Sequence, residues 1–209
     1  MNQPDLILFA KQPLPGQVKT RLQPEYSPEE AAAIAADFIR RTVELAVSNW
    51  PGEVFLYAWP DANHPLFQAL AREFHIQLAV QAAGDLGAKM QSALQTHIAR
   101  RGCAAILGCD VPHADWVMID QANEWLARGH NVLGPASDGG YYFIGLQQPT
   151  PELFTDIEWS SNKVLTTTLL RAGTLGIEFE MLTELRDIDT SEDLRIVAEK
   201  YEPLKRYFK

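Results

Sequence analysis

Short apolar runs and amphipathic stretches of helical period alternate from one end of the chain to the other. Leu6 to Ala10 is a compact apolar run, the pattern of a strand buried on both faces. Gln12-Pro13-Leu14-Pro15-Gly16 follows and cannot continue any regular element, so the strand opens into a loop. Ser27, Pro28 and Glu30 stand where an N-cap, a first-turn proline and the acidic partner of a capping box would stand, and the Ala-rich pattern after them predicts a helix to about Val47.

The same alternation then repeats. Val54 to Ala58 predicts a strand, His64 to Phe74 a helix, Ile76 to Val80 a strand, Leu86 to Arg100 a helix and Ala104 to Leu107 a short strand. Ala114 to Arg128 is the next helix, Asn131 to Gly134 and Tyr141 to Leu146 are strands, and Lys163 to Ala172, Ile177 to Leu182 and Ser191 to Tyr201 close the chain as helix, strand and helix. Such an order predicts a three-layer α/β/α fold around a mostly parallel sheet, with right-handed crossovers. Ligands of these folds sit beyond the carboxyl ends of the strands. The polar segments Lys11 to Arg21, Gly84 to Lys89 and Asp110 all follow strands and are expected to converge there. Pro135 to Ser161 is the least regular part and is expected to form part of an acceptor pocket.

Composition narrows the class. With 46% hydrophobic and 22% charged residues, the chain has ordinary globular usage, and residues 1–209 are expected to form one domain. A formal charge of -9 and a pI near 5.0 disfavour a nucleic-acid partner, which basic residues would have to hold. Any phosphate site must be local. No segment has the length of a bilayer span and the start lacks signal-peptide features. Cys103 and Cys109 match neither a disulfide framework nor a metal pair and are expected to be buried apolar residues. These features together imply a cytoplasmic protein.

Four segments could carry chemistry. Between Phe9 and Leu22, Lys11, Lys19 and Arg21 surround a loop containing Gly16; such a loop can turn amides and cations toward phosphates, although it lacks the P-loop spacing and could also be merely a solvated basic loop. Asp110 emerges from an apolar strand end just before Val111-Pro112, where it could hold Mg²⁺ or cap the following helix. Asp187-Ile188-Asp189 puts two carboxylates on one face of an extended segment, and either could complete a metal site, while the acidic run after Thr190 could simply favour a helix start. Ser137-Asp138-Gly139-Gly140 reads as a hairpin turn that would also let backbone approach a ligand. Gln81 to Gly87 leads into a helix with Asp85 as its N-cap and glycines that would admit a planar base, or is a plain strand-to-helix turn.

Together these stretches resemble a family of bacterial transferases with the glycosyltransferase-A-like (GT-A, Rossmann-like) nucleotide-diphospho-sugar transferase fold, including arsenosugar-biosynthesis-type glycosyltransferases. The family is also similar to 2-phospholactate guanylyltransferase and to molybdenum-cofactor nucleotidyltransferases. The matching segments are FAKQPLPGQVKTRL, QAAGDLGAKM, GCDVP, GPASDGGYYFIGL, IEWSSNKV and DIDTSEDL. The resemblance implies catalytic roles for Lys19 and Asp110, a nucleotide site of Ala10, Lys11, Gly16, Lys19, Arg21, Gln81, Gly84 and Gly87, and an acceptor side at Asp138, Gly139, Gly140 and Tyr141. It also implies Mg²⁺ or Mn²⁺ held by Asp110 and Asp189, with Asp187 left open. The expected activity is metal-dependent transfer from a nucleoside triphosphate or a nucleotide sugar to a small-molecule acceptor. A protein that binds nucleotide without turnover is the alternative.

Overall fold

The structure is a computed structural model, and it describes residues 3–208. Strands β1 (Asp5–Lys11), β2 (Val54–Trp59), β3 (Gln77–Val80), β4 (Ala104–Gly108), β5 (Asn131–Pro135), β6 (Tyr141–Leu146) and β7 (Phe179–Met181) form one sheet in the order β3-β2-β1-β4-β6-β5-β7. β3, β2, β1 and β4 run parallel. β6 is antiparallel to both β4 and β5, and β5 is parallel to β7. The Asp-Gly-Gly segment therefore does join an antiparallel pair, as its turn chemistry predicts.

Helices α1 (Pro28–Asn49), α2 (Pro65–Phe74), α3 (Leu86–Arg101), α4 (Trp116–Ala127), α5 (Val164–Thr174) and α6 (Ser191–Lys200) fill the intervals. Alternate side chains of β1 go to opposite layers: Leu6 and Leu8 join α1, α2 and α4 through Ile39, Phe67 and Ile119, while Ile7 joins α3 through Met90, Leu94 and Ile98. These two apolar layers make the three-layer α/β/α fold. The outer face of α1 carries a third cluster in which Phe38 meets Ile188, Leu194 and Leu204. Ile188 thereby ties the Asp187–Asp189 segment to the body of the protein.

Local chemistry sets the boundaries. Ser27 and Glu30 form the expected capping box on α1, and Asp85 accepts from the Ala88 amide at the start of α3. α4 begins at Trp116 rather than Ala114, because Asp115 serves as its N-cap and accepts from the Met118 amide. β7 is shorter than the expected Ile177 to Leu182 strand, being an edge strand paired with β5 alone. Among the described residues no helix is long and apolar enough to cross a membrane, and both cysteines are buried and free.

Candidate functional site

The chain order along the sheet reverses between β1 and β4, so the loops leaving their carboxyl ends flank a crevice, the usual ligand position in open α/β sheets. The first loop is shaped by Gly16 (φ 75) and by Lys19, which adopts the left-handed conformation at φ 47 just before the 3₁₀ turn Thr20–Leu22. This turns the Lys19 side chain inward, where only 5% of it remains exposed. Its ammonium donates to the Ile188 carbonyl at 2.7 Å and to Asp189 Oδ1 at 3.0 Å, and it pairs with Asp110 Oδ1. All three of its protons thus have acceptors. Burial opposes the charge, but the carboxylates of Asp110 and Asp189 outweigh it and raise the Lys19 pKa above its ordinary value.

Backbone bonding brings the two carboxylates together. The Ile188 amide donates to the Asp110 carbonyl at 3.0 Å, and Ile188 is fully buried, so Asp187 and Asp189 flank a fixed point beside the end of β4. Asp115 caps α4 and Thr190 caps α6 with Asp193, which leaves Asp110 and Asp189 free of capping duties. Arg21 lies 3.7 Å from the second oxygen of Asp189. Asp187 joins the cluster: burial first, then the nearby charges of Asp110 and Asp138, push its pKa to about 8.

Among the described residues no group of three or more His, Cys, Asp or Glu is arranged to hold a metal ion. What the geometry offers is a pair of carboxylates from distant segments meeting on one cation, the Lys19 ammonium. Two carboxylates are the protein's usual share of a Mg²⁺ site, whose other ligands are waters and substrate phosphates. The donor set fits such an ion.

Beside this cluster lies an open cleft of about 690 Å³ lined by Ala10, Lys11, Arg21, Gln81, Asp110, Asp138, Gly140, Tyr141 and Asp189. An adjoining cleft reaches Lys19. The Gln81 side chain donates to the Tyr57 carbonyl at 2.9 Å, fastening β3 to β2. Asp138 accepts from the Gly140 amide at 2.8 Å, forming the Asx turn that shapes the hairpin, and burial keeps the Tyr141 phenol neutral by raising its pKa.

Not every candidate lines the cleft. Gly16 faces open space, and Gly84 (φ 111) serves the turn before α3. A Cβ at Gly87 would meet Trp159 at 2.6 Å and the Phe154 carbonyl at 2.8 Å, so the room expected there for a planar base is taken by an indole. Gly139 is likewise filled, by the Asn162 backbone at 2.2 Å, and the Leu165 amide donates to its carbonyl at 2.8 Å. The segment around Trp159–Asn162 is therefore seated against both α3 and the β5–β6 turn.

Trp59, Lys89, Trp159 and Ser160 also line the cleft; Lys89 closes the polar segment Gly84 to Lys89 expected to converge here, but none of the four was assigned a role. Lys89 carried a signal: a cation in the first turn of a helix opposes the helix dipole. Trp59 and Ser160 carried none, since a strand-end tryptophan and a loop serine are commonplace.

A crevice at the β1/β4 switch point with convergent carboxylates and cations defines the class: this is the fold of the nucleotide-diphospho-sugar and nucleotidyl transferases. A protein from Desulfovibrio desulfuricans, provisionally named a nucleotide-diphospho-sugar transferase, is 26% identical, with a TM-score of 0.88 over 97% of this chain and 89% of that one. CMP:2-keto-3-deoxy-manno-octonic acid synthetase complexed with CTP shares the fold at 11% identity and a TM-score of 0.58, covering 96% of this chain and 99% of that one. So does Rv0371c of Mycobacterium tuberculosis in complex with manganese, at 15% identity and a TM-score of 0.59 over 95% and 99%. No curated protein matches the chain. Residues 42–161 match the family described as "uncharacterized protein conserved in bacteria (DUF2064)", and the chain belongs to that family.

Proposed function

We propose that the protein is a divalent-metal-dependent transferase that takes a nucleoside triphosphate and moves its nucleotidyl group to a small anionic or hydroxyl-bearing acceptor. The observation that carries this reading is the meeting of Asp110 and Asp189 on one cation, beside Lys11 and Arg21 in the same cleft. Asp110 and Asp189 would hold Mg²⁺ or Mn²⁺, which when bound neutralises charge on the phosphates and on the departing diphosphate.

The chain's own residues supply the rest. Lys11 and Arg21 would attract and orient the phosphate chain, because paired cations in a partly enclosed cleft hold anions more firmly than in bulk water. Lys19, its protons now divided among three protein oxygens, would turn toward the phosphates once the carboxylates had another cation. There it would stabilise charge that develops in transfer. Asp138 and the neighbouring Gly140 and Tyr141 would form the acceptor side.

A second reading, glycosyl transfer from a nucleotide sugar, is favoured by the 26% identity to the Desulfovibrio protein and its provisional name. In that case the same carboxylates and cations would serve the departing diphosphate, and an acceptor hydroxyl would attack the sugar carbon. Thermal-shift titration with nucleoside triphosphates and nucleotide sugars, with and without Mg²⁺, separates the readings. Mg²⁺-dependent stabilisation by a triphosphate supports the first and by a nucleotide sugar the second. Stabilisation that ignores both Mg²⁺ and loss of Asp110 would identify a binding protein without turnover, and no stabilisation at all would overturn all three.

A further inference from the structure

Lys11 ends β1 and stands in parallel register with Trp59, which ends β2, so the two side chains leave the sheet on the same face. The Lys89 ammonium lies over the Trp59 ring, 3.6 Å from its centroid. Among the described residues neither lysine forms an ion pair: Lys11 donates to the Gln17 carbonyl at 2.7 Å, and Lys89 has the indole. This is notable in a chain with a net charge of -9, where carboxylates are plentiful.

Local electrostatics make the arrangement unfavourable unless something else is present. Lys89 occupies the first turn of α3, the positive end of the helix dipole, where a cation is disfavoured. Its pKa is lowered by burial and by the like charge of Lys11, with Asp85 opposing. The position is also fixed, because Gly87, two residues earlier, is locked against Trp159 and Phe154. A cation at a helix start beside a second cation, with an ion-pair partner for neither, breaks a local rule, and such breaks concentrate at functional sites.

We infer that Lys11 and Lys89, seated on the Trp59 face, form an oxyanion subsite that takes a phosphate group of the bound substrate. The inference rests on the nucleotide-transferase reading only for the source of that phosphate, either the donor's chain or a phosphorylated acceptor. The subsite uses neither Asp110 nor Asp189, so anion binding there needs no divalent ion.

The test is calorimetric titration of the whole protein in Mg²⁺-free buffer with inorganic phosphate, pyrophosphate, a nucleoside triphosphate and the matching monophosphate. Wild type is compared with Lys89→Met, which keeps the packing on Trp59, and Lys89→Arg, which keeps the charge. Pyrophosphate affinity should fall about tenfold in Lys89→Met, the scale of one charge-assisted hydrogen bond, and be restored in Lys89→Arg. A parallel loss for the triphosphate but not the monophosphate assigns the subsite to the donor chain. Loss for phosphate and pyrophosphate with unchanged nucleotide binding assigns it to the acceptor. Equal affinities of wild type and Lys89→Met for every probe overturn the subsite and leave the nucleotide reading standing. Pyrophosphate binding through Lys89 with no nucleotide binding would do the reverse.

Discussion

Asp5, at the start of β1, is wholly buried and is met by His97 at 2.8 Å and by Arg100 and Arg101, whereas Lys11, at the end of the same strand, projects into an open cleft without a carboxylate partner. Glu53 completes the first group by pairing with both arginines, and Tyr57 bonds the far nitrogen of His97 at 3.0 Å. At the amino ends of the strands, charge is matched around a wholly buried carboxylate. At the carboxyl ends, cations and carboxylates share a cleft in separate groups, joined mainly through Lys19. Ionisable residues thus form a structural clamp at one pole and line an open cleft at the other. What separates them is whether the counter-charge comes from the protein.

That contrast can be broken from either side. The largest effect is expected from Asp110→Asn, which removes charge but little volume: metal-dependent turnover should fall about a thousandfold, several kcal/mol of lost charge stabilisation, with the melting temperature nearly unchanged. Near-normal turnover would remove Asp110 from the site. Asp5→Asn should do the opposite, destabilising the fold by about 3 kcal/mol because the wholly buried carboxylate at the centre of the His97, Arg100 and Arg101 group is lost, while nucleotide affinity holds. Denaturant unfolding beside ligand titration reads both.

Gly87→Ala should cost about 1–3 kcal/mol by overpacking, since Trp159 and the Phe154 carbonyl occupy the space a methyl would need; a neutral result in unfolding experiments would mean that the Trp159 segment is free to retreat. Lys19→Met should tighten Mn²⁺ binding in the absence of nucleotide by about tenfold, because a competing ammonium is gone, and calorimetry that finds weaker binding would show that the ammonium organises the pair instead. The smallest effect concerns Asp37, in the outer cluster. Burial opposes its ionisation, but hydrogen bonds from Tyr207, Arg41 and Arg206 hold its pKa below the usual 3.8. A depressed carboxylate contributes stability above its unfolded pKa and loses it as pH falls through the folded one. Hydrogen exchange around the terminal 3₁₀ turn Glu202–Tyr207 should therefore quicken only below about pH 4, and constant protection into stronger acid would count against this account.

Much of the fold was legible because its signals are local. Apolar runs such as Leu6 to Ala10, the Ser27 capping box and the Asp85 cap act over a few residues, and the structure keeps all three. The meeting of Asp110 with Asp189 was legible only through the family resemblance, since Asp110 follows β4 whereas Asp189 stands in the loop before α6, and the residues alone left Asp187 and Asp189 equally open. Whether a glycine faces ligand or protein was not legible. Gly87 and Gly139 are filled by Trp159 and Asn162, contacts across long sequence separations that no spacing rule encodes. Lys89 was legible as the end of the polar Gly84 to Lys89 segment, but its place beside Trp59 and Lys11 was not, since these become neighbours only through sheet register.

The Trp159–Asn162 segment leans on the start of α3 through Gly87 and on the β5–β6 turn through Gly139. One stretch of backbone therefore braces both banks of the cleft, and a displacement of one bank is passed to the other. On the proposed reading, with donor and acceptor on opposite banks, redesigning either side alone would call for resculpting this brace first, so the two specificities are expected to drift together rather than independently.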